Sequence, residues 1–104
     1  MTTAYLIEYA IDGETSVDLT DADHAARFLS SSIEHAHYSD IGFDVIRMFR
    51  YADGALIPLH LARPESGYAD ADDYLHYPYE VWPVDGPTAA TPEFTFTVTI
   101  DGRA

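Results

Sequence analysis

The segment Phe43–Ala62 constrains the fold of this chain more than any other. It reads FDVIRMFRYADGALIPLHLA, two apolar runs on either side of Asp53-Gly54. An Asp-Gly pair between apolar runs indicates a β-hairpin with a two-residue type I′ turn. Such a turn sets apolar side chains opposite one another. The predicted pairs are Ala52 with Ala55, Met48 with Leu59 and Ile46 with Leu61.

The second face of this hairpin is apolar as well. In the predicted register it carries Phe43, Val45, Phe49, Tyr51 and Leu56. A sheet that is apolar on both faces has to be covered on both, either by other parts of the chain or by a partner. The sequence therefore predicts that each face of the hairpin is covered, by other parts of the chain or by a partner.

Regular elements are predicted on both sides of this hairpin. Ala4–Ile11 and Thr15–Leu19 alternate as strands, and a three-residue loop between them would set Ile7 and Tyr9 beside Val17 and Leu19. A helix is expected from an N-cap at Thr20, with Asp23 completing an acidic capping box, to about His37. Its apolar stripe consists of Ala22, Ala25, Ala26, Leu29, Ile33 and Ala36. Glu93–Ile100 alternates strictly and is predicted as the last strand.

These elements predict an α+β fold. The order is β-β-α-β-β-long loop-β, a mainly antiparallel sheet with one amphipathic helix packed on one face. At 104 residues the chain is expected to form a single domain, residues 1–104. Within it, residues 64–92 are rich in Pro, Tyr and Asp, and we expect them to be mostly irregular, with a short extended piece around Tyr77–Val81.

Charge sets this chain apart from an average domain. Eighteen Asp and Glu stand against five Arg and no Lys, for a formal net charge of −13. Both flanks are strongly negative, and residues 43–63 are nearly neutral because Arg47, Arg50 and Arg63 lie there. Such a body repels nucleic acid and anionic membrane surfaces, so direct binding to either is excluded. With no cysteine and no recognisable signal peptide, we expect a soluble, cytoplasmic protein.

No pattern in the sequence indicates catalysis or metal binding. The five histidines include no i, i+4 pair of the kind that binds zinc on a helix. Asp70–Asp73 begins like a calcium loop, but Leu75 and Val81 stand where an EF-hand needs Gly and Glu. There is no GxSxG, phosphate loop or dinucleotide fingerprint. We therefore expect no catalytic residue, no metal, no cofactor and no enzymatic activity.

The strongest candidate for a binding surface lies within residues 64–92, where acids and aromatics are mixed. Tyr and Trp dominate interface hot spots, and carboxylates among them would pair with cationic side chains of a partner. Carboxylates at alternate strand positions would also recur at about 7 Å, near the spacing of phosphates along one nucleic-acid strand. The predicted partner-binding residues are Asp70, Asp72, Asp73, Tyr74, Tyr77, Tyr79, Glu80 and Trp82.

These features favour a non-catalytic protein-binding domain that engages a basic, nucleic-acid-binding protein. In its short length, acidity, lack of cysteine and α+β order, the chain resembles phage- or plasmid-borne DNA-mimic inhibitors such as anti-CRISPR and antirestriction proteins. The resemblance is one of type, and no functional residue is carried over from it. Two alternatives stay open. One is a structural domain whose acidity is an adaptation to salt and whose second apolar face forms a homodimer. The other is a small-ligand site in the Tyr/Trp/His/Asp segment.

Overall fold

The computed structural model describes residues 3–84 and 91–101. The elements follow in the order β1 (Ala4–Ile11), β2 (Glu14–Thr20), α1 (Ala22–Ser39), β3 (Phe43–Ala52), β4 (Ala55–Ala62), β5 (Tyr68–Ala69), β6 (Tyr74–Pro83) and β7 (Phe94–Asp101). In the described residues, seven strands form one antiparallel sheet and a single helix packs against it, which confirms the predicted α+β class.

The strands β2, β1, β3, β4 and β6 are neighbours in that order. Beyond them, β7 pairs with the other edge of β6 along its whole length. The short strand β5 pairs with Leu75 and His76 near the start of β6, and β4 pairs with Glu80–Pro83 near its end. The sheet therefore runs from the edge strand β2 to the edge strand β7.

The central hairpin has the predicted turn. Asp53 and Gly54 both have positive φ, and the pairs Ala52–Ala55 and Met48–Leu59 are confirmed. The described ladder ends at Met48–Leu59, so the predicted Ile46–Leu61 pair does not form part of it.

A β-bulge in β3 explains this difference. Glu8 pairs with Arg47 and Tyr9 with Val45, so Ile46 is an extra residue and is 47% exposed. Because one extra residue reverses which side chains face which way, Phe43 and Val45 join the helix side of the sheet. Their predicted position on the second face was wrong.

The predicted three-residue loop between β1 and β2 was also wrong. Asp12 and Gly13, both at positive φ, form a two-residue turn, and Ile7 pairs with Asp18 and Tyr9 with Ser16. Turn geometry fixes this register, although it leaves apolar side chains of β2 in water. Val17 and Leu19 consequently lie on the face away from the helix, each 59% exposed.

Helix α1 begins one residue later than predicted and ends two residues later. Its N-cap is Asp21, whose side chain accepts from the His24 N–H at 2.8 Å, because Thr20 belongs to β2. It ends at a left-handed Asp40, whose N–H donates to the Ala36 carbonyl. No helix in the described ranges is long and apolar enough to span a membrane.

The core lies between α1 and one face of the sheet, called here the helix side. Its buried residues are Tyr5, Ile7, Ala25, Leu29, Met48, Leu59, Val81, Phe96 and Val98. The predicted stripe of the helix is confirmed from Ala22 to Ile33, with Ala25 and Leu29 fully buried, whereas Ala36 is not packed against the core. Phe28 fills one end of the core, where its ring lies 4.9 Å from that of Tyr9.

Residues 64–92 contain more regular structure than predicted, since β6 is a ten-residue strand. Pro78 is tolerated in it because β5 pairs only with residues before it and β4 only with residues after it. The missing N–H therefore interrupts no ladder on that edge. Residues 85–90 of this segment lie outside the described residues.

Candidate functional site

The topology gathers acidic residues at one end of the sheet. Strands β1, β4 and β7 finish at this end, β2, β3 and β6 begin there, and α1 ends there. We call it the acidic end, and it carries nine acids in described residues, namely Asp12, Glu14, Asp40, Asp44, Glu65, Asp70, Asp72, Asp73 and Asp101. Of the described arginines, only Arg63 lies at this end.

The other described arginines neutralise acids elsewhere. Arg27 pairs with Asp23 at 3.2 Å, on the exposed surface near the start of the helix. Arg47 Nε lies 2.7 Å from a Glu8 carboxylate oxygen on the face away from the helix. This pair holds the pKa of the Glu8 carboxyl below its usual value, chiefly through the hydrogen bond from Arg47.

The third arginine pair lies at the opposite end of the sheet. Arg50 Nε is 3.4 Å from Glu93, whose carboxylate also accepts from the Tyr5 hydroxyl at 3.0 Å. Burial, followed by this hydrogen bond and the Glu93 charge, raises the pKa of Tyr5 to about 12. Most of the described arginines are thus paired with acids away from the acidic end.

Loop contacts hold the acidic end together. The Asp12 carboxylate accepts from the Gly42 N–H at 2.9 Å, and the Asp12 N–H donates to the Gly42 carbonyl at 2.8 Å. This exchange joins the β1–β2 turn to the segment between α1 and β3, which follows Asp40. Asp12 and Asp40, which are far apart in sequence, become neighbours as a result.

The β5–β6 turn supplies three more acids, and they differ in their roles. Asp70 accepts hydrogen bonds from the Asp72 and Tyr74 N–H groups at 2.8 and 3.1 Å. Its other oxygen lies 2.8 Å from His76 Nε2. The hydrogen bond with His76 and, after it, that from the Tyr74 N–H lower the pKa of the Asp70 carboxyl. All three acids are exposed, but the Asp70 carboxylate is bonded within the turn and organises it.

His76 links this turn to the last strand. Its Nδ1 lies 3.1 Å from the Thr99 hydroxyl, and its ring stacks on Tyr68 with centroids 5.1 Å apart. A carboxylate, an imidazole and a hydroxyl in sequence form the hydrogen-bond chain used by nucleophilic sites. Here the chain runs between a turn and the middle of a strand, where it fixes the turn to β7.

The structure does not bring the eight predicted partner-binding residues to one surface. Alternation along β6 places Tyr77 and Tyr79 on the helix side, packed against the core, and the Tyr79 ring stacks on Phe96 at 5.0 Å. Glu80 and Trp82 point the other way, with Trp82 Nε1 donating to Glu80 at 3.3 Å. Asp70, Asp72, Asp73 and Tyr74 lie at the acidic end. Asp70–Asp73 also form a turn, so their spacing is not that of a strand.

A groove of about 670 Å³ runs between α1 and the edge strand β7. Residues lining it include Arg27, Ser30, Glu34, Tyr38, Thr95 and Thr97. Two hydroxyl groups of the helix hydrogen-bond to the edge of β7 here. The Ser30 hydroxyl donates to the Thr97 carbonyl at 2.7 Å, and the Tyr38 hydroxyl accepts from the Asp101 N–H at 2.6 Å. The predicted ligand segment does not line this groove. Among residues 3–84 and 91–101, no cluster of three or more His, Asp or Glu is arranged to hold a metal ion.

Sequence reasoning missed the acids contributed by the first half of the chain, such as Asp12, Asp40 and Asp44. The available signal was their position at turns, next to Gly13 or Gly42. The fold and this surface together define a class, a small α+β domain with one acid-lined sheet end. No protein-family model, curated protein or solved structure gives a significant match to this chain.

Proposed function

We propose that this chain is a non-catalytic binding domain whose acidic end engages a basic, nucleic-acid-binding protein in place of DNA. The observation that carries the proposal is the placement of nine acids at one end of the sheet, with Arg63 as the only described arginine beside them. A cytoplasmic location is part of the proposal, because a nucleic-acid-binding partner would be met there.

The size of this surface supports mimicry of a duplex. From β2 to β7 the sheet has five strand-to-strand steps, so the acidic end is on the order of 25 Å long. The same length of double-stranded DNA carries about 15 negative charges. Nine carboxylates over that length give a charge density of the same order, which a groove built for phosphates would accept.

Individual residues have different roles in this proposal. Asp72 and Asp73 face the partner's cations, Tyr74 beside them supplies aromatic contact area, and Asp70 holds the turn in shape. Tyr77 and Tyr79 support β6 from the core side rather than contacting the partner directly.

The test compares two double variants with the same change in charge. Asp72→Asn/Asp73→Asn removes two charges at the acidic end, and Asn tolerates the positive φ of Asp73. Asp23→Asn/Asp53→Asn removes two charges at the opposite end and serves as the matched control. The immobilised chain captures its partner from host lysate at low salt, and the identified partner is then purified for titration over a range of salt concentrations.

We expect Asp72→Asn/Asp73→Asn to weaken binding about two- to thirtyfold, from about 0.4–2 kcal/mol for two exposed ion pairs. The slope of log K against log salt should fall by about 2, and duplex DNA should compete with the chain. Equal affinities and slopes for both double variants would refute the site. A captured protein that binds the chain and DNA simultaneously would refute mimicry.

Adaptation to salt makes a different prediction for the chain alone. A domain whose acidity serves only to keep it folded in a saline cell should gain most of its stability in molar salt. A recognition domain should already be folded in dilute buffer and lose its partner as salt rises. Thermal unfolding at 20 mM and 2 M KCl separates the two.

A further inference from the structure

The two edges of the sheet differ in whether their outward backbone groups are bonded. At β7, the Thr97 carbonyl accepts from the Ser30 hydroxyl at 2.7 Å, and the Asp101 N–H donates to the Tyr38 hydroxyl at 2.6 Å. The helix therefore satisfies part of that edge. At the other edge, β2 pairs with β1 alone, and no further strand of the described residues lies beyond it.

The register identifies the backbone groups of β2 that face outward. A two-residue turn is closed by a hydrogen-bonded pair, here Ile11 with Glu14, so alternate residues from Glu14 onward bond to β1. The N–H and carbonyl groups of Thr15, Val17 and Leu19 consequently point away from the sheet. No group within residues 3–84 and 91–101 bonds to them. We call these outward groups the β2 edge.

The features that usually prevent strand addition are absent from β2. The strand is seven residues long, contains no Pro or Lys, and pairs with β1 without a bulge. An edge of this kind is a template for another strand, since it offers donors and acceptors at every second residue.

The side chains of β2 differ between its two faces. Glu14 and Asp18 lie on the helix side, because Asp18 pairs with the buried Ile7 and Glu14 lies four residues before it. Neither carboxylate forms an ion pair with a described residue. Val17 and Leu19 lie on the other face, each 59% exposed. The strand therefore offers acids on one face and apolar side chains on the other.

We propose that the β2 edge binds an extended, cationic peptide segment of a partner protein as an additional antiparallel strand. Backbone hydrogen bonds to Thr15, Val17 and Leu19 hold the segment, and alternation gives its specificity. Its residues opposite these three place apolar side chains next to Val17 and Leu19. Its residues opposite Glu14 and Asp18 place Lys or Arg next to the carboxylates.

Charge selects this occupant over a second copy of the chain. Each copy carries −13, and pairing two β2 edges would bring Glu14 and Asp18 of both copies to one seam without any cation of β2 to offset them. A cationic strand meets the same two carboxylates favourably. The acids thus oppose self-pairing at an edge whose backbone would otherwise permit it.

This site goes beyond the function proposed for the acidic end. Glu14 belongs to both, but strand addition depends on the backbone of β2 and on Asp18, which lies further along the strand. The experiment uses synthetic peptides and needs no captured partner, so the failure of either proposal leaves the other standing.

Amide hydrogen exchange of the ¹⁵N-labelled full chain, followed by NMR at low salt, tests the proposal. The probe is the peptide acetyl-TVKVTVK-amide, whose three Val residues match Thr15, Val17 and Leu19 and whose Lys residues match Glu14 and Asp18 when it lies antiparallel. At about 2 mM peptide, exchange at the Thr15, Val17 and Leu19 amides should slow about fivefold or more. Amides already bonded to β1 should change little.

Two altered peptides separate strand pairing from ionic attraction. In the first, the three Val nitrogens are methylated, which removes the donors that face the β2 edge and keeps the charge. In the second, acetyl-TVEVTVE-amide, the charge is reversed and the backbone is kept. Neither should slow exchange at Thr15, Val17 or Leu19.

A pair of double variants tests the carboxylates. Glu14→Gln/Asp18→Asn should weaken binding of acetyl-TVKVTVK-amide about two- to thirtyfold, through the loss of two exposed ion pairs. Asp23→Asn/Asp53→Asn removes the same charge away from β2 and should leave the affinity close to that of the wild type. Circular dichroism checks that both variants are folded.

Four results would overturn the proposal. One is exchange at Thr15, Val17 and Leu19 that about 2 mM acetyl-TVKVTVK-amide leaves unchanged. Another is equal protection by the methylated peptide, which would mean ionic attraction without strand pairing. Equal protection by acetyl-TVEVTVE-amide would exclude a cationic occupant. Protection that grows with the concentration of the chain alone would assign the edge to a second copy.

Discussion

If the acidic end is maintained for recognition, removing a charge from it should stabilise the free protein. Asp40→Asn is the most informative change. Asp40 ends α1 in a left-handed conformation, at φ 56°, which Asn adopts at least as readily. Its carboxylate lies at the negative end of the helix dipole. It is also close to Asp12, because the Asp12 carboxylate accepts from the N–H of Gly42, two positions after Asp40.

The structure gives the size of the effect. Removing a negative charge from a helix C-terminus is worth about 0.3–1 kcal/mol. One residue, Ile41, separates Asp40 from Gly42, which bonds to Asp12, so chain geometry puts a separation of about 8 Å within reach of the two carboxylates. Two unit charges at that distance in water repel by about 0.5 kcal/mol. The repulsion is absent from the unfolded chain, where these residues are far apart. We expect a gain of about 1 kcal/mol, or about 4–8 °C in melting temperature, at low salt.

Thermal unfolding followed by circular dichroism in 10 mM and 500 mM salt measures this gain. The control is Asp53→Asn, which makes the same substitution at a left-handed residue, φ 53°, in the hairpin turn at the other end. The Asp40→Asn gain should exceed that of the control and shrink by more than half in high salt. A gain equal to that of the control, or one that salt does not reduce, would show that backbone conformation rather than charge repulsion is responsible.

Two further predictions concern the turn that presents the candidate site. Because the folded pKa of Asp70 is depressed, its contribution to stability is present above its unfolded pKa and lost as pH falls through its folded pKa. Asp70→Asn should therefore be less stable than the wild type at pH 7 in urea titrations, with the difference vanishing in acid; a constant difference would contradict the assignment. Gly67→Ala should cost about 1–3 kcal/mol, because its Cβ would lie 2.7 Å from the Tyr77 ring and 2.9 Å from the His76 carbonyl oxygen. An unchanged urea midpoint for Gly67→Ala would show that the turn can shift without loss.

Sequence patterns predicted the elements of this fold better than the pairing between them. The central hairpin, the helical stripe and the alternation of the last strand each depend on residues that are close in sequence. The two errors of register have local causes that the apolar pattern conceals. At Asp12-Gly13 the turn overrides apolar pairing, and at Ile46 one extra residue reverses the faces of β3. A single bulge has no clear signature in a run that is apolar throughout.

The candidate site was predicted in part. The acids of Asp70–Asp73 were expected to be exposed, and Asp70, Asp72 and Asp73 all are. The internal role of Asp70 was not foreseen, because its partner His76 is set by the turn. Tyr77 and Tyr79 were grouped with Trp82 as neighbours in sequence, but alternation along a strand sends them to opposite faces of the sheet.

The sequence by itself determined the α+β class, the excess of negative charge and the presence of a hairpin apolar on both sides. These follow from composition and short-range periodicity, which need no knowledge of the topology. Only the tertiary structure decided that acids from five separate segments meet at one end and that Val17 and Leu19 are exposed on the sheet face away from the helix. Strand order and register bring distant residues together, and that is information a local pattern does not contain.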